Sequence, residues 1–203
     1  MEKIDLKKQF KSLYNPSAKA VSEVDVPGFN FLMIDGHGNP NTAPEYAEAV
    51  QALYGLAYTL KFMLKKGPAA VDYAVMPLEG LWWVPDMSQF SALKKDAWLW
   101  SMLVLQPEEV TPALFAEAQA EAQRKKGLPA LSRVRFEAYQ EGRAVQIMHI
   151  GPYSAEEPNI QKLHEAIREM GCERTGKHHE IYLGDPRKTD PEKLRTVIRQ
   201  PFK

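Results

Sequence analysis

A short pattern of sequence motifs occurs twice in the chain, and this apparent duplication constrains the fold more than any other feature. MIDG at residues 33–36 and MHIG at residues 148–151 each lead through a loop and a capping-box sequence into an amphipathic helix. Two predicted strands follow in each half, and the first strand of each pair carries a glutamate, Glu79 or Glu180. We therefore predict two strand–helix–strand–strand units, with coincidence in a mixed chain as the alternative.

The elements behind this pattern come from periodicity and from turn residues. Strands are predicted at 29–34, 72–84, 97–105, 134–139, 144–150, 178–183 and 194–199, and QEGR at 140–143 is interpreted as a hairpin turn. Helices are predicted to start at Thr42, Thr111 and Ser154 and to end near Gly67, Gly127 and Gly171. So few helices among so many strands predict an α+β fold with the helices on one face of a sheet.

The predicted organisation has two parts. Residues 1–26 are expected to be an N-terminal leader packed on a single domain at 27–203, whose pseudo-repeats span about 27–110 and 131–203. Lys+Arg and Asp+Glu both number 26, and this zero net charge argues against a nucleic-acid partner. No stretch reaches the roughly 20 apolar residues of a membrane span, so we expect a cytoplasmic protein without a membrane partner, as a monomer or a homodimer.

The segment HHEIYL, at residues 178–183, places a carboxylate in the middle of a predicted strand, where glutamate is unfavourable. Alternation puts Glu180 and Tyr182 on one face with His178, whereas His179 and Ile181 take the other. We expect Ile181 to face the helices, which leaves Glu180 and Tyr182 on an open, ligand-facing side. A surface glutamate on an edge strand is the alternative.

Metal and cofactor chemistry find no support in the motifs. The five histidines show no metal-ligand spacing, and the single cysteine, Cys172, excludes an intramolecular disulfide. All four tryptophans lie between Trp82 and Trp100, as expected of either an aromatic-walled pocket or a tryptophan-rich core. We predict no metal and no cofactor, and a small molecule as the partner.

The tail HHEIYLGDPRKTDPEKLRTVIRQP, together with LEGLWW and the strand WLW, resembles the GyrI-like small-molecule-binding proteins, in particular their stand-alone bacterial branch. The resemblance implies a concave antiparallel sheet backed by two helices, with a ligand groove between the halves. It also implies that Glu180 is the central groove glutamate, which meets cationic aromatic drugs in multidrug-sensing relatives.

Two functions follow from the resemblance. The first is binding of amphipathic, aromatic or cationic compounds, with Glu79, Trp83, Trp98, Trp100 and Tyr139 as further ligand-binding candidates. The second is hydrolysis of cyclopropane-bearing genotoxic natural products, with Glu180 activating water and Tyr182 orienting the substrate. A protein-interaction role such as gyrase binding finds no support, because the chain is neutral and has no acidic run.

Overall fold

Long antiparallel strands and three long helices dominate the computed structural model, which describes residues 2–87, 90 and 94–203. The strands are β1 Glu2–Ile4, β2 Ser22–His37, β3 Val71–Tyr73, β4 Leu78–Trp83, β5 Leu99–Gln106, β6 Arg135–Ile150, β7 His178–Tyr182 and β8 Arg195–Pro201. The helices are α1 Leu6–Gln9, α2 Lys11–Tyr14, α3 Pro44–Lys66, α4 Pro112–Lys126 and α5 Glu157–Glu169.

The predicted α+β class with a large antiparallel sheet is confirmed. Hydrogen bonding connects the long strands in the order β2, β5, β4, β7, β8, β6, and the order returns to β2. The pairs β2–β5, β6–β8 and β7–β8 are antiparallel. The concave shape and the tandem repeat stay predictions, although the element sequence β2-α3-β4-β5 is followed by β6-α5-β7-β8.

The described residues divide into two compact units. The first contains the chain up to Leu6, Phe29–Met76 and Trp82–Tyr139, and the second contains Lys7–Gly28, Pro77–Leu81 and Gln140–Lys203. Strand β2 already begins at Ser22, inside the predicted leader, and the predicted boundary at residue 27 stays a prediction.

In the first unit, the 23-residue helix α3 buries one side, which is formed by alanine and leucine residues. Burial of this apolar side stabilises the helix. Gly36 of β2 lies opposite Trp100 of β5 in the strand register. A Cβ atom at Gly36 would lie 2.1 Å from the Trp100 ring, so only glycine allows the fully buried indole to cross the strand here.

Proline positions decide where the helices begin. Thr111 caps α4 as predicted, since its Oγ1 accepts from the Leu114 amide at 3.1 Å. The capping box predicted at Thr42 is wrong, because Pro44 occupies the first turn of α3 and makes Ala43 the N-cap, without a side-chain bond. The capping box predicted at Ser154 is also wrong, because Ser154 lies in a 3-10 turn at Tyr153–Ala155 and Glu156 is the N-cap of α5.

Two strand predictions also differ from the structure. The strand predicted at 72–84 is split into β3 and β4, with Pro77 between them, because proline cannot donate to a sheet ladder. The hairpin predicted at QEGR is wrong, because β6 runs unbroken from Arg135 to Ile150. Gly142 takes a φ of +75° inside that strand, so the glycine serves a local backbone irregularity and not a chain reversal.

In the second unit, α5 packs on the sheet formed by β7, β8 and β6. Its buried residues are Leu163 and Ile167, and they share a core with Val145, Ile147, Ile198 and Phe202. Residues of the N-terminal segment Lys7–Gly28 bind the same unit, for example where the Met148 amide donates to the Ser17 carbonyl at 3.0 Å. Within the part of the chain that is described, no helix has the length and apolar character needed to cross a membrane.

Candidate functional site

Strand β7 presents Glu180 on the side of the sheet that α5 covers. In the β7–β8 register Glu180 lies opposite Ile198, and paired residues of antiparallel strands point to the same face. Ile198 packs against the buried residues of α5, so Glu180 is on the face of the sheet that α5 covers. The prediction that Ile181 faces the helices and Glu180 faces away from them is therefore wrong with respect to α5. The position of α5 is set by apolar residues of β6 and β8, which the pattern of β7 alone does not reveal.

The predicted grouping of His178, Glu180 and Tyr182 on one face is confirmed by their contacts. The Glu180 Oε1 atom lies 3.0 Å from His178 Nε2, and Glu180 Oε2 accepts from the Tyr182 hydroxyl at 2.6 Å. The Glu180 side chain is 12% exposed and that of His178 is 3% exposed. Both carboxylate oxygens are therefore held in a largely dehydrated position, where charge interactions are strong.

Tyr153 is a residue of this group that the sequence analysis missed. It opens the 3-10 turn before α5, and its ring meets the Tyr182 ring edge-on with centroids 5.5 Å apart. Burial, followed by the charges of Glu156 and Glu180, raises the pKa of Tyr153 to about 12. The sequence signal that could have indicated Tyr153 is the dipeptide Gly151-Pro152 just before it. Gly151 has a φ of +136°, and the chain turns there directly after β6.

A second histidine approaches His178 from α5. Burial, followed by the charges of Arg174 and His178, lowers the pKa of His164 to about 4. The Arg174 guanidinium lies 3.2 Å from His164 Nε2. His164 is consequently neutral at pH 7, and it adds no charge to the group around Glu180.

His179 points to the opposite face of β7, as alternation predicted, and is enclosed by two carboxylates. Its Nε2 lies 3.1 Å from Glu79 Oε2, and its Nδ1 lies 3.0 Å from both Glu141 oxygens. Burial alone would lower the pKa of His179, but the charge and hydrogen bonds of Glu141, with those of Glu79, outweigh it and raise the pKa to about 9. The imidazole is therefore a buried cation at neutral pH.

Arg199 completes this buried charge network, which comprises Tyr14, Glu79, Glu141, Gln146, His179 and Arg199. The Arg199 guanidinium donates to Glu141 Oε2 at 3.0 Å and to the Leu13 carbonyl at 2.9 Å. Burial would raise the pKa of Glu141, but the charges of His179 and Arg199 lower it to about 2. The carboxylates of Glu79 and Glu141 thus lie beside the cations His179 and Arg199. Each buried charge therefore has a partner of opposite sign.

The remaining predicted ligand-binding residues lie in different surroundings. Glu79 is 1% exposed and accepts from the Tyr14 hydroxyl at 2.7 Å, on the His179 side of β7. In the first unit Trp98 and Trp100 are buried, whereas Trp83 and Tyr139 are half-buried.

An aromatic cluster contains the three buried indoles, those of Trp82, Trp98 and Trp100. Tyr46 stacks on Trp82 and meets Trp100 edge-on, and Trp98 contacts both Trp82 and Phe90. These contacts suit both interpretations of the tryptophans, since a packed core and the wall of a binding site each need such rings. Within the described residues, no three His, Cys, Asp or Glu side chains are grouped closely enough to hold a metal ion.

The sequence also matches a known family over most of its length. The profile of the GyrI-like small molecule binding domain matches residues 19–203. A comparison with curated proteins found no match.

Solved structures extend this likeness to the whole chain. An uncharacterized conserved protein from Listeria innocua is 40% identical, with a TM-score of 0.91 over 98% of this chain and 100% of its own. A hydrolase from Listeria innocua is also 40% identical, with a TM-score of 0.89 over 100% of both chains. The EcmrR C-terminal domain, at 12% identity and a TM-score of 0.55 over 91% of this chain and 97% of its own, shares the fold alone. The family match, which covers residues 19–203, shows that the chain belongs to the GyrI-like small molecule binding domain family.

Proposed function

We propose that the chain binds small amphipathic, aromatic and cationic compounds, with Glu180 as the anionic centre of the site. The observation that carries this proposal is the fixed carboxylate of Glu180, which is held by His178 and Tyr182 and is 12% exposed. A carboxylate in such a position attracts a cation more strongly than one in bulk water, because the effective dielectric constant is lower.

Aromatic side chains next to Glu180 supply the apolar part of the same site. The rings of Tyr153 and Tyr182 meet edge-on and both side chains are half-buried, so they can contribute aromatic contacts to a planar or cationic ligand. Membership of a small-molecule-binding family supports this assignment.

A fluorescence titration with ethidium, a permanent aromatic cation, tests the proposal. Glu180→Gln keeps the size of the side chain and removes its charge, and we expect ethidium to bind at least about tenfold more weakly, as the loss of one charge-assisted contact implies. Phenanthridinone has the same fused three-ring skeleton without a charge, so its affinity should fall much less. The matched control is Glu173→Gln, because Glu173 is an exposed glutamate of the same unit. Equal affinity of Glu180→Gln and the native chain for ethidium would show that Glu180 is not the site.

A second candidate function is hydrolysis, favoured by the 40% identical hydrolase from Listeria innocua that matches the full chain. In this reaction Glu180 takes a proton from water while the water oxygen bonds to a cyclopropane carbon of the substrate. The ring C–C bond breaks, its electron pair passes into the conjugated carbonyl group, and the product recovers the proton. Tyr182, once its hydroxyl turns from Glu180 to the substrate, would donate to the substrate oxygen that gains charge.

Mass spectrometry separates the two functions. After incubation with a cyclopropane-containing duocarmycin-type compound, hydrolysis gives a product heavier by one water, and this product should disappear with Glu180→Gln. Binding without reaction gives unchanged compound that co-elutes with the protein. If Glu180→Gln alters neither result, both functions lose their proposed centre.

The other sequence-based assignments are part of the same proposal. Ligand contacts by Trp83, Trp98, Trp100 and Tyr139, and by Glu79, stay predictions that the ethidium titration can test one substitution at a time. The absence of a nucleic-acid partner, the choice between monomer and homodimer, and the cytoplasmic location likewise stay predictions.

A further inference from the structure

Two aromatic side chains lie exposed one turn apart on the outer side of helix α3. Tyr58 is 47% exposed and Phe62 is 48% exposed. The other large hydrophobic side chains that are exposed within the described residues, Ile150 and Met170, belong to the second unit. Single exposed apolar residues are common, but residues four apart on a helix adjoin each other, so Tyr58 and Phe62 form one apolar patch.

Cations of two helices adjoin this patch. The Lys66 Nζ atom lies 6.0 Å from the centre of the Phe62 ring, whose π-face attracts a cation. Helix α4 packs beside α3, and the Lys126 ammonium group at its end donates to the Gly55 carbonyl at 2.9 Å. This contact brings the exposed run RKK at 124–126 next to α3. We call the joint surface the basic aromatic face, and it consists of Tyr58, Phe62, Lys66, Arg124, Lys125 and Lys126.

The carboxylate of Glu121 shows that the cations of both helices lie close together. It pairs with Lys125 of α4. Lys125, followed by Arg124 of the same helix and Lys66 of α3, lowers the pKa of Glu121. One carboxylate thus lies in the field of three cations that come from two helices.

The surroundings of the basic aromatic face are positively charged on balance. Residues 58–66 and 117–126 contain six basic and two acidic residues. Asp72, which binds two lysines of α3, adds a third carboxylate. An excess of three positive charges is therefore concentrated here, although the whole chain has no net charge. Basic residues in a last turn complement the helix dipole, which explains their place in α3 and α4 but not the exposed rings beside them.

We propose that the basic aromatic face binds the surface of an anionic lipid bilayer. Acidic headgroups attract lysine and arginine side chains near the bilayer, and aromatic rings enter the headgroup layer. A single-stranded nucleic acid is the other polyanion that binds aromatic rings, but it follows a basic groove, whereas Tyr58 and Phe62 project from the outside of a helix. The expectation of no membrane partner rested on the lack of a spanning stretch, which a protein that lies on the bilayer surface does not need.

Flotation of the native chain with lipid vesicles tests the charge dependence of this contact. Vesicles of phosphatidylcholine with about a third of phosphatidylserine are compared with vesicles of phosphatidylcholine alone. We expect at least about tenfold stronger partitioning into the acidic vesicles, and high salt should abolish the difference because it screens exposed charges. Equal partitioning into both kinds of vesicle would overturn the proposal, and this measurement requires no variant.

A matched pair of double variants tests whether these cations carry the contact. Lys66→Gln with Arg124→Gln removes one charge from each helix of the basic aromatic face. Lys162→Gln with Arg168→Gln removes the same two charges from exposed positions of α5. Each cation near an acidic bilayer contributes about fivefold, so the first double variant should partition at least about tenfold more weakly and the second less than about threefold. Equal losses would overturn the proposal.

The aromatic patch is tested separately. Phe62→Gln removes an exposed ring without changing the charge, and we expect it to weaken partitioning about fivefold, because the ring no longer enters the headgroup layer. Met170→Gln is the control, since Met170 is an exposed apolar residue of the second unit, and it should change partitioning less than about twofold. If Phe62→Gln has no larger effect than Met170→Gln, the proposed insertion of the ring is wrong.

The same variants distinguish a lipid surface from a nucleic acid. A single-stranded oligothymidylate is titrated in parallel with the acidic vesicles. If the oligonucleotide binds and loses affinity with Lys66→Gln and Arg124→Gln, while the vesicles do not bind, the lipid assignment is overturned in favour of a nucleic acid. The inference does not depend on Glu180, so its failure would leave the proposed ligand-binding function unaffected.

Discussion

At the scale of single residues, the hydroxyl of Thr196 is an unusual feature of the second unit. Thr196 of β8 is fully buried, and its Oγ1 has no hydrogen-bond partner among the described residues. Thr196→Val removes this hydroxyl and keeps the branched shape, so we expect the free energy of unfolding to rise by about 1 kcal/mol. Chemical denaturation measures the change.

At Thr111 the same substitution should change the free energy of unfolding in the opposite direction. Its Oγ1 caps helix α4, so Thr111→Val should lower the free energy of unfolding by about 1 kcal/mol. The prediction for Thr196 fails if Thr196→Val destabilises the protein as Thr111→Val does.

At the scale of elements, strand alternation predicted much of the site. It placed Glu180 with Tyr182 and separated His178 from His179, and their contacts confirm both points. It could not show which face α5 covers, because that depends on Ile198 and other apolar residues of neighbouring strands. Alternation is a local property of one strand, whereas the covered face is chosen by the whole sheet.

The buried charge network was not predictable from local patterns. The partners of His179 lie far away in the sequence, with Glu79 separated by 100 residues and Glu141 by 38. Glu141 lies in QEGR, whose composition is typical of a turn, yet the segment is part of β6. Polar residues that become buried together across strands leave no periodic signal, so only the assembled sheet shows them.

The N-terminal segment Lys7–Gly28 is anchored to this network through Tyr14. The Tyr14 hydroxyl donates to Glu79 at 2.7 Å, and both side chains are buried. Tyr14→Phe keeps the ring and leaves Glu79 Oε1 without this donor, so we expect the free energy of unfolding to fall by about 2 kcal/mol. Denaturation of the variant gives the value directly.

Two comparisons make the Tyr14 prediction specific. Tyr58→Phe, on the exposed side of α3, should change the free energy of unfolding by less than about 0.5 kcal/mol. In a Glu79→Gln background the cost of Tyr14→Phe should shrink, because the acceptor no longer carries a charge. An equal effect of Tyr14→Phe and Tyr58→Phe would refute the anchoring role.

At the scale of the whole molecule, the shifted pKa values predict a stability maximum near pH 6.5. The pKa of Glu141 is about 2 in the folded state against 4.5 ordinarily, so its contribution is present above pH 4.5 and disappears as the pH falls towards 2. His164 has a pKa of about 4 against 6.5, and unfolding would let it gain a proton between these values. Both groups therefore make stability rise with pH up to about 6.5.

His179 sets the alkaline side of this maximum. Its folded pKa of about 9 exceeds the ordinary 6.5, so its stabilisation is complete below pH 6.5 and disappears as the pH rises through 9. One proton accounts for a slope of at most about 1.4 kcal/mol per pH unit over that interval. Urea denaturation from pH 3 to pH 9.5 should thus show the free energy of unfolding rising, reaching its maximum near pH 6.5, and then falling.

Single substitutions assign each limb of the curve to its residue. His164→Gln should flatten the rise between pH 4 and 6.5 and leave the alkaline fall intact, because His164 and His179 lie on opposite faces of β7 and have separate partners. His179→Gln removes the buried cation between Glu79 and Glu141, so it should lower stability at pH 6.5 and abolish the fall towards pH 9. A native protein as stable at pH 9.5 as at pH 6.5 would mean that His179 does not carry the extra proton. The ion pairs that enclose it would then have to be described as neutral hydrogen bonds.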